Sequence, residues 1–440
     1  MDDAREPKNI FVLGYDHKHG KDIARIPDVE RFRFHPLLSS DELVYQEDYD
    51  LDEMIEKARD ILRSFQGKVD GIVCHWDFPA TSIAAILNEE FGLLGPSLEA
   101  ILKCSHKYWS RLEQSKAAPD NTPNFCAIDP FAEDPLASVT LDYPFWIKPI
   151  KAYGSALGFM IANQNEFQEA IETVREEIDR IGTPFNTILD RVTLPAAVAD
   201  VRGNYLIAEQ FMKGVEFAPE GSVQHGRFRA HGVIDMVMNS QRTSFLRYEY
   251  PSRVPDQVQA RGIDVARKVL DSIGFDNGCF NMEFFWNEQT DELLIIEINP
   301  RISQSHSYQF EQVDGMSNHE IAVHVATGDE PVLLKGEGPY KQAAKCFLRH
   351  YSDKDARVIR TPSGEDLKAL SKVQPETEVD VIVENGQRLS TLMDQDSYSY
   401  VLAEVHVAAH STDELVAKFE RAIEFLSFEL EEMELPAGGS

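Results

Sequence analysis

The segment Cys279–Arg301, CFNMEFFWNEQTDELLIIEINPR, constrains the fold more than any other stretch of this chain. Two β-rich runs flank a polar NEQTDE turn, which is the pattern of an antiparallel hairpin. A hairpin centred near Thr290 pairs residues whose numbers sum to 580. Glu283 and Glu297 meet that sum, so they should lie opposite one another with Cβ atoms roughly 5 Å apart. Asn299 stands two positions beyond Glu297 and shares its face. Phe285 and Ile295 meet the same sum and argue against full exposure of that face. Opposed carboxylates repel, and a cation relieves the repulsion. Oxygen-only ligands suit Mg²⁺, which commonly also takes substrate phosphate oxygens. The alternative is a pair of solvated glutamates on an exposed surface.

The 440 residues are enough for two or three domains. Lys and Arg total 43 against 74 Asp and Glu, a net charge of −31. That balance argues against a non-specific nucleic-acid binder and against anionic membranes. No apolar run approaches the roughly 18 residues of a bilayer span. The acidic, polar start MDDAREPKNI does not read as a secretory leader. Cys74, Cys104, Cys126, Cys279 and Cys346 are dispersed and never CxxC, as expected of reduced thiols in a cytoplasmic protein.

Three regions separate by pattern. In residues 1–115, the short apolar runs Lys8–Gly14 and Val69–Asp77 and the helical run Ala80–Gly92 predict a parallel α/β sheet. Residues 116–330 open on a Pro- and acid-rich stretch between Ala118 and Pro135. They continue through YPFWIKPI and the glycine-containing loop KAYGSALG. Phe167, Ile171, Val174, Ile178 and Ile181 predict an amphipathic helix ended by Gly182. Mostly strands follow from Tyr205, interrupted by a helix at about Asp256–Ile273. Residues 331–440 predict a small α+β domain closed by a helix at about Asp413–Glu431.

The order of these features resembles the ATP-grasp superfamily over nearly the whole chain. The resemblance implies an ATP-grasp fold at 116–330, with a lid at about 140–210. It also implies an N-terminal Rossmann-like domain and a C-terminal α+β domain. The family's metal signature is an acidic residue followed by E-x-N-x-R on the next strand. Here these are Glu283, then Glu297, Asn299 and Arg301. By this resemblance Glu283, Glu297 and Asn299 hold two Mg²⁺ ions, or Mn²⁺, on the ATP phosphates, and Arg301 stabilises charge in the transition state. In FWIKPIKAYGSALGF, Lys148 resembles the phosphate-binding lysine, and the loop including Tyr153, Gly154 and Ser155 resembles the lid over the phosphates. Lys107, at a helix head, matches an earlier family lysine; its alternative is a solvated helix residue. In AEQFMKGVEF, Glu209 takes the place of the acidic hinge residue. The backbone of Gln210, Phe211 and Met212 would read the adenine edge, and Glu216 the ribose hydroxyls. Both glutamates could instead be surface residues.

ATP-grasp enzymes mostly convert a carboxylate to an acyl phosphate that a nucleophile then attacks. The three-part layout is similar to biotin carboxylase and to carboxylate–amine ligases. Carboxylases of this type carry a glutamate where this chain has Ser305, although His306 is kept. The resemblance therefore implies an amino-acid-type ligase using small carboxylate and amine substrates, in a branch often homodimeric. Ser303, Gln304, Ser305 and His306 would line the acceptor pocket. His306 would orient or deprotonate the amine, or else merely cap a turn. The alternatives are a biotin-dependent carboxylase and a non-catalytic ATP-binding protein.

Overall fold

The computed structural model describes residues 6–46, 48–152, 157–241, 243–352, 354–392 and 399–433, excluding the side chains of residues 18 and 19. The chain forms two compact units, each assembled from three stretches of sequence. The first comprises Met1–His231, Pro255–Gln304 and Asn318–Val332. The second comprises Gly232–Val254, Ser305–Ser317 and Leu333–Ser440.

The first unit opens with a three-stranded parallel sheet, Lys8–Tyr15 lying between Phe32–Ser39 and Gly71–Cys74. Lys8–Tyr15 and Gly71–Cys74 are near-continuous apolar runs, as strands covered on both faces must be, whereas the edge strand Phe32–Ser39 exposes Arg33 and Pro36. Ile10, Val12, Phe32 and Val73 form the core with Ile23, Ile26 and Val323. The helix Ala80–Phe91 follows the third strand, and Gly92 ends it in the left-handed conformation at φ 64°.

A four-stranded antiparallel sheet runs in the order Phe125–Ile128, Leu206–Gln210, Phe145–Pro149, Phe159–Ile161. The helix Gln164–Glu177 covers it, burying Phe167, Ile171 and Val174 against Phe145 and Ile147. The apolar spacing is as expected, but Gly182 does not end the helix. The chain breaks at Ile178 and continues as a second helix, Asp179–Leu189, with Gly182 inside it. Gly182 is there because Gly203 passes beside it: a Cβ at Gly182 would stand 2.8 Å from the Gly203 carbonyl oxygen.

The remaining strands of this unit, Val215–Gln224, Gly278–Asn287 and Glu292–Asn299, pair antiparallel in that order. Phe217 and Phe284 stack at 5.6 Å, and Gly262 of the helix Asp256–Ile273 lies against both rings. Glu283 does pair with Glu297, but the register slips immediately afterwards. Phe284 pairs with Ile295 and Phe285 with Leu294, leaving Ile296 as the extra residue of a β-bulge. The expected pairing of Phe285 with Ile295 is thereby displaced by one residue.

In the second unit the sheet order is Arg227–Met238 (this unit from Gly232), Phe245–Tyr250, Gln342–His350, Tyr400–Ala409, Glu378–Val381. Ala344, Cys346, Val405 and Val407 meet Leu415 and Ala422 of the helix Thr412–Ile423. That helix is shorter than the expected Asp413–Glu431. Glu429–Met433 is a strand paired with Asp355–Arg360, with Leu430 opposite Val358. A spacing of four apolar positions suits either period, and the available partner strand decides it.

Among the described residues no helix is long and apolar enough to cross a membrane. Gly182→Ala should lower stability by about 1–3 kcal/mol through overpacking against Gly203. Gly364→Ala, with open space around a Cβ, should not. A urea titration of both variants checks this; a stabilised Gly182→Ala protein would refute the close-approach argument.

Candidate active site

The first unit gathers acidic and basic side chains around the Gly278–Asn287 and Glu292–Asn299 hairpin. Glu283 and Glu297 face each other across the ladder, and Asn299 lies on the same face. The Asn299 amide donates to Glu283 Oε1 at 3.1 Å and reaches Glu297 Oε1 at 3.5 Å. Glu216, buried on the neighbouring strand, adds a third carboxylate. Burial, then the charges of Glu297 and Glu216, hold the Glu283 carboxyl well above its usual range. A set of oxygen donors that cannot all ionise comfortably fits a hard divalent cation.

Cations approach this cluster from three elements. Lys148 is the last residue but one of the strand Phe145–Pro149, and its Nζ lies 2.9 Å from Glu209 Oε2. Lys107 begins the helix Lys107–Ala117 and donates to the Ala152 carbonyl at 3.1 Å. Burial, partly offset by Glu297, lowers its ammonium to about 8. Arg301 follows the hairpin, with Nη2 at 3.4 Å from Asn299 Oδ1 and 3.9 Å from Asp77 Oδ2.

Three residues in this network were not singled out from sequence. Asp77 follows the third parallel strand, at the carboxyl edge where open sheets meet ligands. It bonds Lys151 Nζ at 2.9 Å. Burial works against its ionisation, but Lys151 and Arg301 hold its carboxyl well below the usual range.

Arg111 is the second. It is 2% exposed and donates to Glu209 Oε1 at 2.6 Å, to Gln114, and to the carbonyls of Ile295 and Ile296. The bulge turns those two carbonyls toward it. Burial alone would raise the Glu209 carboxyl; Arg111 and Lys148 instead hold it at about 2. Arg111 stands four residues after Lys107, one helical turn on the same face, and that spacing was its only sequence signal.

His106 is the third. Its Nδ1 accepts the Trp109 N–H at 3.1 Å, capping the helix that presents Lys107, and its Nε2 donates to the Val201 carbonyl at 2.8 Å. Burial lowers the imidazole to about 4.

The other expected positions are distributed as follows. Glu209 is turned inward, so it acts on the site through Lys148. Gln210 N–H donates to the Asn124 carbonyl, and Phe211 lies under the Lys213 ammonium. Met212 follows in the irregular link before Val215–Gln224. Ser303 N–H reaches Glu220 Oε2 at 3.4 Å, and Gln304 donates to the His75 carbonyl at 2.7 Å. Ser305 and His306 belong to the second unit. Ser305 Oγ accepts from Lys345, and His306 is buried against Tyr248 and Phe310. Tyr153, Gly154 and Ser155 lie outside the described residues.

Residues 141–308 match the ATP-grasp domain family, and that span contains the hairpin glutamates, Asn299, Arg301 and Lys148. The chain thus carries an ATP-grasp domain over residues 141–308. Its fold likeness extends beyond the domain. An L-amino acid ligase from Bacillus licheniformis superposes with TM-score 0.73 at 17% identity, covering 98% of this chain and 100% of that one. A biotin carboxylase from Campylobacter jejuni gives TM-score 0.64 at 15% identity, covering 97% and 92%. An uncharacterized protein, y4rH, of Sinorhizobium fredii is 24% identical over 96% of this chain and 83% of its own length. The ATP-grasp architecture, with its N-terminal parallel sheet, is therefore the fold of this chain.

Two outcomes test the geometry. Arg111→Ala should cost about 3–5 kcal/mol in urea unfolding, because it removes a buried partner of Glu209. His106 sits below its ordinary value of 6.5, so its contribution is fully present above about 6.5 and lost as pH falls toward about 4. The slope should be about 1.4 kcal/mol per pH unit in that window, and His106→Asn, which keeps a capping oxygen, should flatten it. An unchanged slope in that variant would remove His106 from the account.

Proposed function

We propose that this ATP-grasp protein is an ADP-forming ligase. It activates a small carboxylic acid as an acyl phosphate and joins it to an amine, with amino acids as the acceptor class. The observation that carries this reading is the opposition of Glu283 and Glu297 within a ring of Lys107, Lys148 and Arg301.

The chemistry needs those residue types. A carboxylate is a poor electrophile because its leaving group would be oxide; phosphorylation supplies a stable one. Phosphoryl transfer is then a matter of positioning and charge neutralisation. Glu283, Glu297 and Asn299 would hold divalent metal, two Mg²⁺ ions in this reading, which would neutralise phosphate charge. Lys148 and Lys107 bind phosphate oxygens. Glu216 and the backbone from Gln210 to Met212 serve the nucleoside. Arg301, steered by Asn299 and Asp77, stabilises charge on the transferred phosphoryl group. Ser303 and Gln304, next along the chain, lie on the acceptor side.

The fold likeness to an L-amino acid ligase over 98% of the chain supports an amino-acid acceptor. The likeness to a biotin carboxylase keeps carboxylation as the second reading, which Ser305 in place of a glutamate disfavours.

The test is a phosphate-release screen of carboxylate and amine pairs with ATP and Mg²⁺. ADP and phosphate should appear only when both partners are present. Glu297→Gln should lower turnover by about a hundredfold or more while the protein stays folded. AMP and pyrophosphate as products would overturn the acyl-phosphate route. Bicarbonate-dependent ATP cleavage stimulated by biotin would select the carboxylase, and unaltered turnover in Glu297→Gln would remove the glutamate pair from catalysis.

A further inference from the structure

A second pair of opposed carboxylates lies in the second unit, among residues that the ligase reading does not use. The strands Glu378–Val381 and Tyr400–Ala409 pair antiparallel, with Asp380 opposite Glu404 and Glu378 opposite His406. Opposed residues share a face, as do residues two apart on a strand, so all four side chains project together. On the next strand Lys345 stands opposite His406 and joins the same face.

Lys345 Nζ lies 2.5 Å from Glu404 Oε1 and 3.0 Å from Ser305 Oγ. Glu378, Asp380 and Glu404 bring three carboxylates to the face that carries this ammonium. Like charges directly opposite on paired strands are destabilising.

The imidazole of His406 separates this cluster from an ordinary acidic surface. His406 is 6% exposed, its Nε2 stands 3.5 Å from Asp380 Oδ2, and its buried Nδ1 has no hydrogen-bond partner among the described residues. The Tyr308 ring covers it at 5.3 Å. One ligand atom from each of Asp380, Glu404 and His406 lies within 4.8 Å of the other two.

We propose that Asp380, Glu404 and His406 form a binding site for a divalent transition ion of the Zn²⁺ class. Mg²⁺ prefers oxygen ligands throughout and keeps several waters. An imidazole beside two carboxylates shifts the preference toward Zn²⁺ and Co²⁺. Three protein ligands leave a coordination position for water, and the Asp380 side chain, 36% exposed, offers the route in. Glu378–Val381 is the last strand of its sheet, so the ion would clip an edge strand to its neighbour. Lys345, held on Glu404, is then a competitor that sets the affinity. The site is independent of the glutamates in the first unit and of the proposed ligase activity.

The experiment uses the full chain, stripped with chelator and free of nucleotide. Co²⁺ is titrated while its visible d–d absorption is followed, and Zn²⁺ is added to displace it. One equivalent should bind with a nitrogen-containing spectrum, be displaced by Zn²⁺, and raise the thermal midpoint. His406→Ala and Asp380→Asn should lose that equivalent and the thermal shift; Asp380 is exposed enough for its variant to fold. Lys345→Met should bind the ion more tightly. Glu283→Gln should bind it unchanged. No Co²⁺ band, a band that survives both His406→Ala and Asp380→Asn, or loss of the ion in Glu283→Gln would overturn the assignment.

Discussion

One buried guanidinium organises the first unit. Arg111 joins the helix Lys107–Ala117 to Glu209 on one sheet and to the carbonyls of Ile295 and Ile296 on another strand pair. A charged group so deeply buried is tolerable only when its nitrogens are answered, and here a carboxylate, an amide and two bulge carbonyls give each of the three a partner. The same contact fixes the helix that presents Lys107 and the carboxylate that receives Lys148. The two lysines and the Glu283–Glu297 ladder thus owe their relation to a side chain that need never touch a ligand.

The electrostatics follow from that framework. A chain of net charge −31 concentrates Lys107, Lys148, Lys151 and Arg301 near its buried glutamates. Three of these cations sit beside carboxylates in this state, Lys148 with Glu209, and Lys151 and Arg301 with Asp77, while Lys107 donates to the Ala152 carbonyl. A polyphosphate and its metal would meet charges already positioned rather than reorganised, which is how such sites lower barriers. Asp77 contributes by holding two cations, not by exchanging protons, since its carboxyl lies well below the usual range.

Some of this was legible along the chain. The helix Asp256–Ile273 and the helix ending at Gly92 appear where apolar spacing and a glycine stop placed them. The Glu283–Glu297 pairing followed from a symmetric turn, because antiparallel strands count residues equally away from it. The count failed one residue later, where the Ile296 bulge breaks it. Gly182 read as a stop because glycine ends helices; its partner Gly203 lies on a separate segment that no periodicity connects to it. Leu430 continued a helical spacing that a strand partner, Val358, claimed instead.

Residue types and their local order therefore determined the acidic pair, the amide and arginine beyond it, the lysine before the loop, and the alternation that makes a parallel sheet. Tertiary structure alone decided which charges meet. Arg111 and Glu209 are 98 residues apart, and Arg111 and Ile295 are 184 apart. Periodicity reports which face of an element is apolar. It carries no information about which distant polar group completes a buried charge, because that choice is made only when the faces pack and water is excluded.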